Sequence, residues 1–316
     1  MSHRPPIHPY LALGIGVLFI SFSAILVKLA AASSTVVAAW RLLLATGLML
    51  PLWWRHRQEL RWMKGRDWAL TLLSGVFLAL HFALWFASLS YTSVASSVVL
   101  VTLQPVFAFA GAYFLFRERT HITALAGAGL AVSGGMILGW GDFALGGNAL
   151  FGDFLDLSGA VMVTAYWLAG QHLRQRLSLI TYTTLVYGTA GLLLAIACLF
   201  SGEPLLAHSS QDWILFFLLA LFPTLLGHSL LNWVIRWVPA TTVSVSILGE
   251  PVGASLLAYW IFGEQPGPLQ WTGGLLIVIG VYVFIRFRER PAIQGTNTPR
   301  KAVKHQTIKC KEDGRL

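Results

Sequence analysis

Ten apolar stretches of bilayer-spanning length, separated by short polar breaks, constrain this chain more than any other feature. A bilayer core about 30 Å thick takes roughly 20 residues of helix at about 1.5 Å per residue. Runs of that length lie at 10–31, 33–54, 67–90, 92–116, 122–140, 152–173, 179–200, 211–235, 239–262 and 269–287. Ser33-Ser34-Thr35 separates the first two runs and can cap the second, Tyr91-Thr92-Ser93 joins the third and fourth, and Val238-Pro239 joins the eighth and ninth. Links this short force antiparallel neighbours. Of the 316 residues 56% are hydrophobic and 11% charged, against about 25% charged in soluble domains. That balance excludes a water-soluble enzyme, a disordered chain and a disulfide-stapled module, and leaves an all-α membrane protein of ten transmembrane helices.

Positive charge fixes the expected orientation. One face receives Arg4, the group Arg55 to Arg66, Arg117 and Arg119, Arg174 and Arg176, Arg236, and the tail from Arg286. The loops near 90–93, 141–151, 201–210 and 263–268 contain no Lys or Arg. Only Lys28 and Arg41 depart from this one-sided pattern, which predicts an inner-membrane, multi-pass protein with both termini in the cytoplasm. The net charge of +9 is then a topology signal and not a sign of a nucleic-acid partner. Residues 1–9 form a cytoplasmic N-terminus, and 288–316 a basic tail expected to be disordered, polar enough to stay solvated or to touch anionic lipid. The first run continues through Lys28 without a small-residue cleavage site, so no removable signal peptide is expected. Cys198 and Cys310 offer neither a staple nor metal-ligand spacing. No metal or cofactor is expected.

The chain also repeats itself, at an offset of about 146 residues. Gln104-Pro105-Val106 falls on Glu250-Pro251-Val252, Ala112-Tyr113 on Ala258-Tyr259, Phe116 on Phe262, Glu118 on Glu264, Gly127 on Gly273 and Gly134 on Gly280. The halves, 10–141 and 152–287, hold five runs each. Five is odd, so the second half enters from the opposite face, as in the inverted repeats of secondary transporters with a midplane site.

These paired segments, with Lys28 late in the first run and Trp40-Arg41 early in the second, resemble the EamA-type repeat of the drug/metabolite transporter superfamily over roughly residues 10–287. The resemblance implies a ten-helix inner-membrane carrier, often an exporter of amino acids or other small metabolites. It also implies a central cavity surrounded by the first four helices of each half, with the fifth and tenth outside. Gln104 departs from the symmetric pattern, because the second half has a carboxylate at that position.

Ionisable residues inside a membrane are rare and mark function by default. Glu250, about eleven residues into the ninth run and directly before Pro251, can serve proton coupling if a cavity hydrates it, or can pair with a cation and join helices. Arg41 must face water, a carboxylate or an anionic ligand. It clamps a solute carboxylate or forms a fixed pair, whereas the shallower Lys28 can also snorkel. Gln104, His81, His228 and Asn232 are candidates for hydrogen bonding or proton relay, each weighed against plain helix contact. Trp40, Trp85, Tyr166, Trp167, Trp233, Tyr259 and Trp260 are candidate cavity walls. Pro105 and Pro251 mark hinge points, while Glu118 and Glu264, at matched helix ends, read as structural latches.

The expected function is secondary active transport of a small solute, an amino acid or related metabolite, by alternating access. Export is the expected direction, and protons are the first candidate for coupling. The alternative within transporters is an obligate exchanger of anionic metabolites, with Lys28 and Arg41 as the clamp. An intramembrane enzyme or sensor is a remote alternative, because no nucleophile–base pair, second nearby carboxylate or metal spacing is present. The partners implied are a small-molecule solute, protons and the bilayer.

Overall fold

The computed structural model describes residues 5–88, 91, 100, 103–139, 147–263 and 265–288. Glu264 and the tail beyond 288 lie outside the described residues, and with them the latch expected of Glu264. The first half comprises α1 (Pro9–Leu29), α2 (Ser34–His56), the short α3 (Glu59–Trp62), α4 (Gly65–Ser88), α5 (Gln104–Phe116) and α6 (Ile122–Gly139). The second begins with α7 (Gly147–Leu173), α8 (Leu179–Phe200) and α9 (Ser210–Leu219), which runs through a π-helical stretch at Ala220–His228 into α10 (Ser229–Val234). It ends with α11 (Ala240–Ile247), α12 (Glu250–Phe262) and α13 (Pro268–Phe287). There is no strand among the described residues.

Seven helical runs are long and apolar enough to cross a membrane, namely α1, α2, α4, α8, α9 to α10, α11 to α12, and α13. α5 and α6 are apolar but shorter as described, and α7 carries Asp153 and Asp156 in its first half. Polarity is inverted relative to a water-soluble fold. Leu11, Phe114, Leu192, Phe200 and Trp260 are exposed on the outside, whereas Arg41, Asn232, Thr183 and Thr242 are buried. A chain with this distribution is solvated by lipid. It is a multi-pass membrane protein.

Two expected helices are not continuous. The ninth run breaks at Leu248-Gly249, so Glu250 stands at the N-terminus of α12 and not in mid-helix. Pro251, which lacks an N–H, sits in the first turn of α12, where none is needed. The first half repeats this arrangement: α5 starts at Gln104-Pro105, has the same 13 residues, and likewise ends in a left-handed cap. The caps are Arg117 (φ 56°) and Gly263 (φ 69°). In the eighth run the ring of Pro223 lies inside the π-helical stretch, whose wider turn absorbs the clash a proline makes in an α-helix. There Thr224 Oγ1 donates to Leu219 O, five residues back, at 2.8 Å.

Reciprocal contacts at opposite faces follow from the inverted halves. On the face where Lys and Arg concentrate, the N-cap Ser178 of α8 donates through Oγ to Glu59 at 2.7 Å, and Arg176 pairs with Asp67 at 3.4 Å. On the other face, the N-cap Ser33 of α2 donates to Glu203, and the Ala31 N–H donates to Asp212 at 2.9 Å. Each set joins a cap and a loop of one half to two acids of the other half. Together they tie both ends of the packed α2–α8 pair.

α6 and α13 pack on one another at the periphery. A Cβ at Gly134 would meet Gly273 O at 2.6 Å, and one at Gly127 would meet Phe284 N at 2.6 Å. Backbone therefore lies directly on backbone, as small residues permit between membrane helices. Small apolar clusters, Ala124, Ala128, Val245 and Phe284 in one and Ala131, Leu248 and Ile277 in the other, fasten this pair to α11 and its C-terminal end.

Candidate functional site

A cavity of about 200 Å³ lies between the halves. Its ionisable and polar lining is Ser23 from α1, Arg41 from α2, His81 from α4, Gln104 from α5, His228 from the π-helical stretch and Glu250 from α12. Phe82, Trp85, Val163, Trp167 and Ile20 supply the apolar walls, and Pro251 also lines it. α6 and α13, the fifth and tenth apolar runs, contribute no lining residue among the described residues, nor does α8.

Arg41 is 2% exposed and held on three sides. Nε donates to Thr224 Oγ1 at 3.1 Å, Nη1 donates to Ser23 Oγ at 3.0 Å, and the guanidinium carbon lies 5.1 Å from the centre of the Phe82 ring. These contacts offset part of a desolvation cost of several kcal/mol. They leave Nη2 buried with no acceptor among the described residues. A buried donor without a partner costs about 1–3 kcal/mol, so this atom calls for an acceptor that those residues do not supply. Trp167 Nε1 and His228 Nδ1 are orphaned in the same way, and their rings stack at 5.9 Å and 9°. His81 donates through Nδ1 to Gly159 O at 3.0 Å, which leaves Nε2 as acceptor in the neutral ring.

Glu250 enters from the other half. Arg41 and Glu250 line the same cavity from opposite halves. Ion pairs among the described residues join Arg176 to Asp67 and Arg288 to Glu118, and neither involves Arg41 or Glu250. A cation and an anion thus face one small cavity without closing on each other. Gln104 Nε2 donates across the halves to Ser244 Oγ at 3.3 Å, and its backbone carbonyl accepts from Thr164 Oγ1 at 3.4 Å.

A model of the EamA-like transporter family matches residues 9–140 and again 150–286, once for each half. The chain belongs to this family. Among its relatives, the uncharacterized transporter YwfM of Bacillus subtilis is 26% identical over 78% of this chain and 82% of its own. A transporter of Archaeoglobus fulgidus is 23% identical over 78% of this chain and 86% of its own. A probable terminal-alkyne amino-acid exporter of Streptantibioticus cattleyicolor is 26% identical over 60% of this chain and 63% of its own. One solved crystal structure covers 87% of this chain and 95% of its own with a TM-score of 0.75 and 19% identity, a likeness of fold.

Several residues singled out in the sequence lie elsewhere in the transporter. Trp40 is no cavity wall: its indole Nε1 donates to Leu205 O at 2.7 Å and its ring meets Trp213 edge-on at 4.7 Å, which pins α2 to the loop before α9. Trp233 packs near Trp237, and Tyr259 and Trp260 are exposed on the outer surface. Tyr166 and Asn232 belong to a buried hydrogen-bonded layer between the cavity and the basic face. Asn232 Nδ2 donates to Tyr166 Oη, to Tyr187 Oη at 3.4 Å and to His228 O at 2.8 Å. Tyr187 and Ser229 hydroxyls meet at 3.2 Å, as do those of Tyr182 and Ser74 at 2.7 Å. Beneath them the Arg174 Nε donates to Asn232 O at 3.0 Å and Nη1 to Leu177 O. Burial first, and the nearby Arg236 second, lower the Arg174 guanidinium to about 10, still charged at neutral pH. These groups are buried, with Asn232 Oδ1 left without a partner among the described residues, and none of Tyr166, Tyr182, Tyr187 and Asn232 lines the cavity.

Glu118 follows the left-handed cap of α5. It accepts from Gln171 Nε2 at 2.7 Å and pairs with Arg288 at 3.4 Å, and Gln171 Oε1 in turn accepts from the Ala240 N–H at 2.6 Å. Lys28 lines a second cavity, with its ammonium 5.1 Å from the centre of the Phe262 ring. Sequence reasoning missed Ser23 and Thr224, which hold Arg41, and Tyr182 and Tyr187 in the buried layer. Pro223, inside an otherwise regular apolar run, was the available signal for Thr224.

Proposed function

We propose that this EamA-like transporter is a secondary carrier that exports a small zwitterionic solute of amino-acid size by alternating access, in exchange for protons. The observation that carries the reading is the unpaired placement of Arg41 and Glu250 on one cavity built by both halves. A carboxylate at Arg41 Nη2 and Trp167 Nε1 would satisfy two orphaned donors. An ammonium would take Glu250, and the apolar remainder would rest against Phe82, Trp85 and Ile20. At about 200 Å³ the space falls below the roughly 300–1,000 Å³ of drug-sized sites. Metabolites of amino-acid size suit it, and the Streptantibioticus relative named as an amino-acid exporter supports this class. Arg41 and Lys28 face different cavities, which leaves their joint anion clamp without a shared ligand.

Coupling follows from competition. Proton and ammonium both neutralise Glu250, so each expels the other. At the outer face a proton arrives and the solute leaves; at the inner face the solute arrives and the proton leaves. The distribution of Lys and Arg supports the basic face as the cytoplasmic one, with both termini inside. The test is a thermal-shift screen of the purified protein with zwitterionic amino acids, polyamines and sugar phosphates, followed by transport in proteoliposomes. Stabilisation by a zwitterion is expected, and Glu250→Gln, a fixed mimic of the protonated acid, should weaken that stabilisation and abolish pH-driven uptake of the solute. Stabilisation by sugar phosphates alone, or undiminished pH-driven uptake in the variant, overturns the proposal.

A further inference from the structure

The cavity that holds Lys28, about 280 Å³, lies between α1, α12 and the start of α13. Its polar lining is Lys28, Ser255, Gln265 and Gln270. It meets the central cavity at Ala24 and Ala254, which line both. The two spaces are thus neighbours along α1 and α12. In the opposite direction lies the buried tyrosine–asparagine layer described above.

The wall between the cavities and lipid is also unusual. α11, the first half of the ninth run, buries Ala240 through Ser246, whereas α12 has no buried residue at all. A third cavity of about 220 Å³ flanks the other side of α12 and shares Ser255, Pro266 and Gln270 with the second. α12 therefore stands between open spaces, hinged at Gly249 and held mainly by α1 and by the start of α13. An element with so few buried contacts is the one expected to move at low cost.

We propose that the space between α1 and α12 is the passage from the central site to the Lys- and Arg-free face, and that Lys28 with Ser255, Gln265 and Gln270 forms a vestibular subsite for the solute's anionic group. This deepens the transport reading and rests on it for the identity of the solute. A solute carboxylate released from Arg41 meets its next cation along α1, at Lys28, about one and a half helical turns from Ser23. The ammonium over the Phe262 ring stays at the rim of the passage, where cations with an aromatic neighbour persist in partly wet surroundings.

Thiol labelling tests the passage without any transport. In full-length protein lacking Cys198 and Cys310, Ser255→Cys is exposed in intact cells to two membrane-impermeant reagents of similar size, anionic sulfonatoethyl methanethiosulfonate and cationic trimethylammonioethyl methanethiosulfonate. Labelling from outside is expected, with the anionic reagent favoured by about tenfold. Lys28→Met should level the two rates, Lys28→Arg should keep the preference, and Ala24→Cys should be reached by the same route. No labelling of Ser255→Cys from outside, or a ratio that Lys28→Met leaves unchanged, overturns the proposal. The central-site reading would survive that failure, because its own test is ligand stabilisation; conversely, labelling can succeed where no zwitterion binds.

Discussion

Arg41 illustrates how a single side chain sets the chemistry of the cavity. Its guanidinium spends Nε and Nη1 on Thr224 and Ser23 and offers Nη2 to the space. A lysine would keep the charge but not the planar fork that serves three partners at once. Arg41→Lys should therefore weaken ligand stabilisation at least about tenfold in apparent affinity, or about 1.4 kcal/mol, with little change in the melting temperature of the unliganded protein. Ligand titration followed by thermal shift checks both. Arg41, His81, Gln104, Glu250, Trp85 and Trp167 were legible in the sequence because polar or aromatic groups at membrane depth need a reason to be there. Trp40, Tyr166 and Asn232 were equally conspicuous yet serve packing. Depth along a helix can be counted from sequence, whereas rotation about its axis is set by neighbours the sequence does not name.

Among the elements, α5 and α12 are copies in length, starting dipeptide and left-handed exit, but only α5 is packed in: Gln104, Pro105, Ala108 and Ala112 are buried. The aligned Pro residues made the shared start readable, while the break at Leu248-Gly249 was not, because an apolar run looks the same whether its helix is whole or interrupted. The α6–α13 seam depends on the absence of side chains. Gly280→Ala would push a methyl to within 2.6 Å of Gly127 O, a backbone atom that cannot turn aside. Overpacking of this kind should cost about 1–3 kcal/mol. Gly129→Ala meets nothing within 4 Å and should be neutral or stabilising by up to about 1 kcal/mol through helix propensity. Thermal unfolding of the two variants in detergent separates packing from propensity.

At the scale of the whole molecule, the ties at both ends of α2 and α8 exist together, Ser33–Glu203 at one face and Ser178–Glu59 at the other. A pair fastened at both ends serves as a frame and not as a gate. Disulfides engineered at Ser33/Glu203 and Ser178/Glu59 should leave transport in proteoliposomes intact, whereas a bridge between Ser21 and Gly253, which join α1 to α12 in close contact, should stop it until reduced. These ties escaped the sequence because the first two runs of each half align poorly. Their only trace is the similar spacing from each capping serine to its own half's acid, Ser33 to Glu59 and Ser178 to Glu203.

The unequal seating of α5 and α12 has a kinetic meaning. Two identical half-chains assembled as a dimer would rest equally toward either side of the membrane. Here one arm is bolted down and uncharged while its twin is loose and bears the acid. A fused, lopsided pair of this sort need not rest equally in its two postures, although the direction of net flow is still set by the gradients applied.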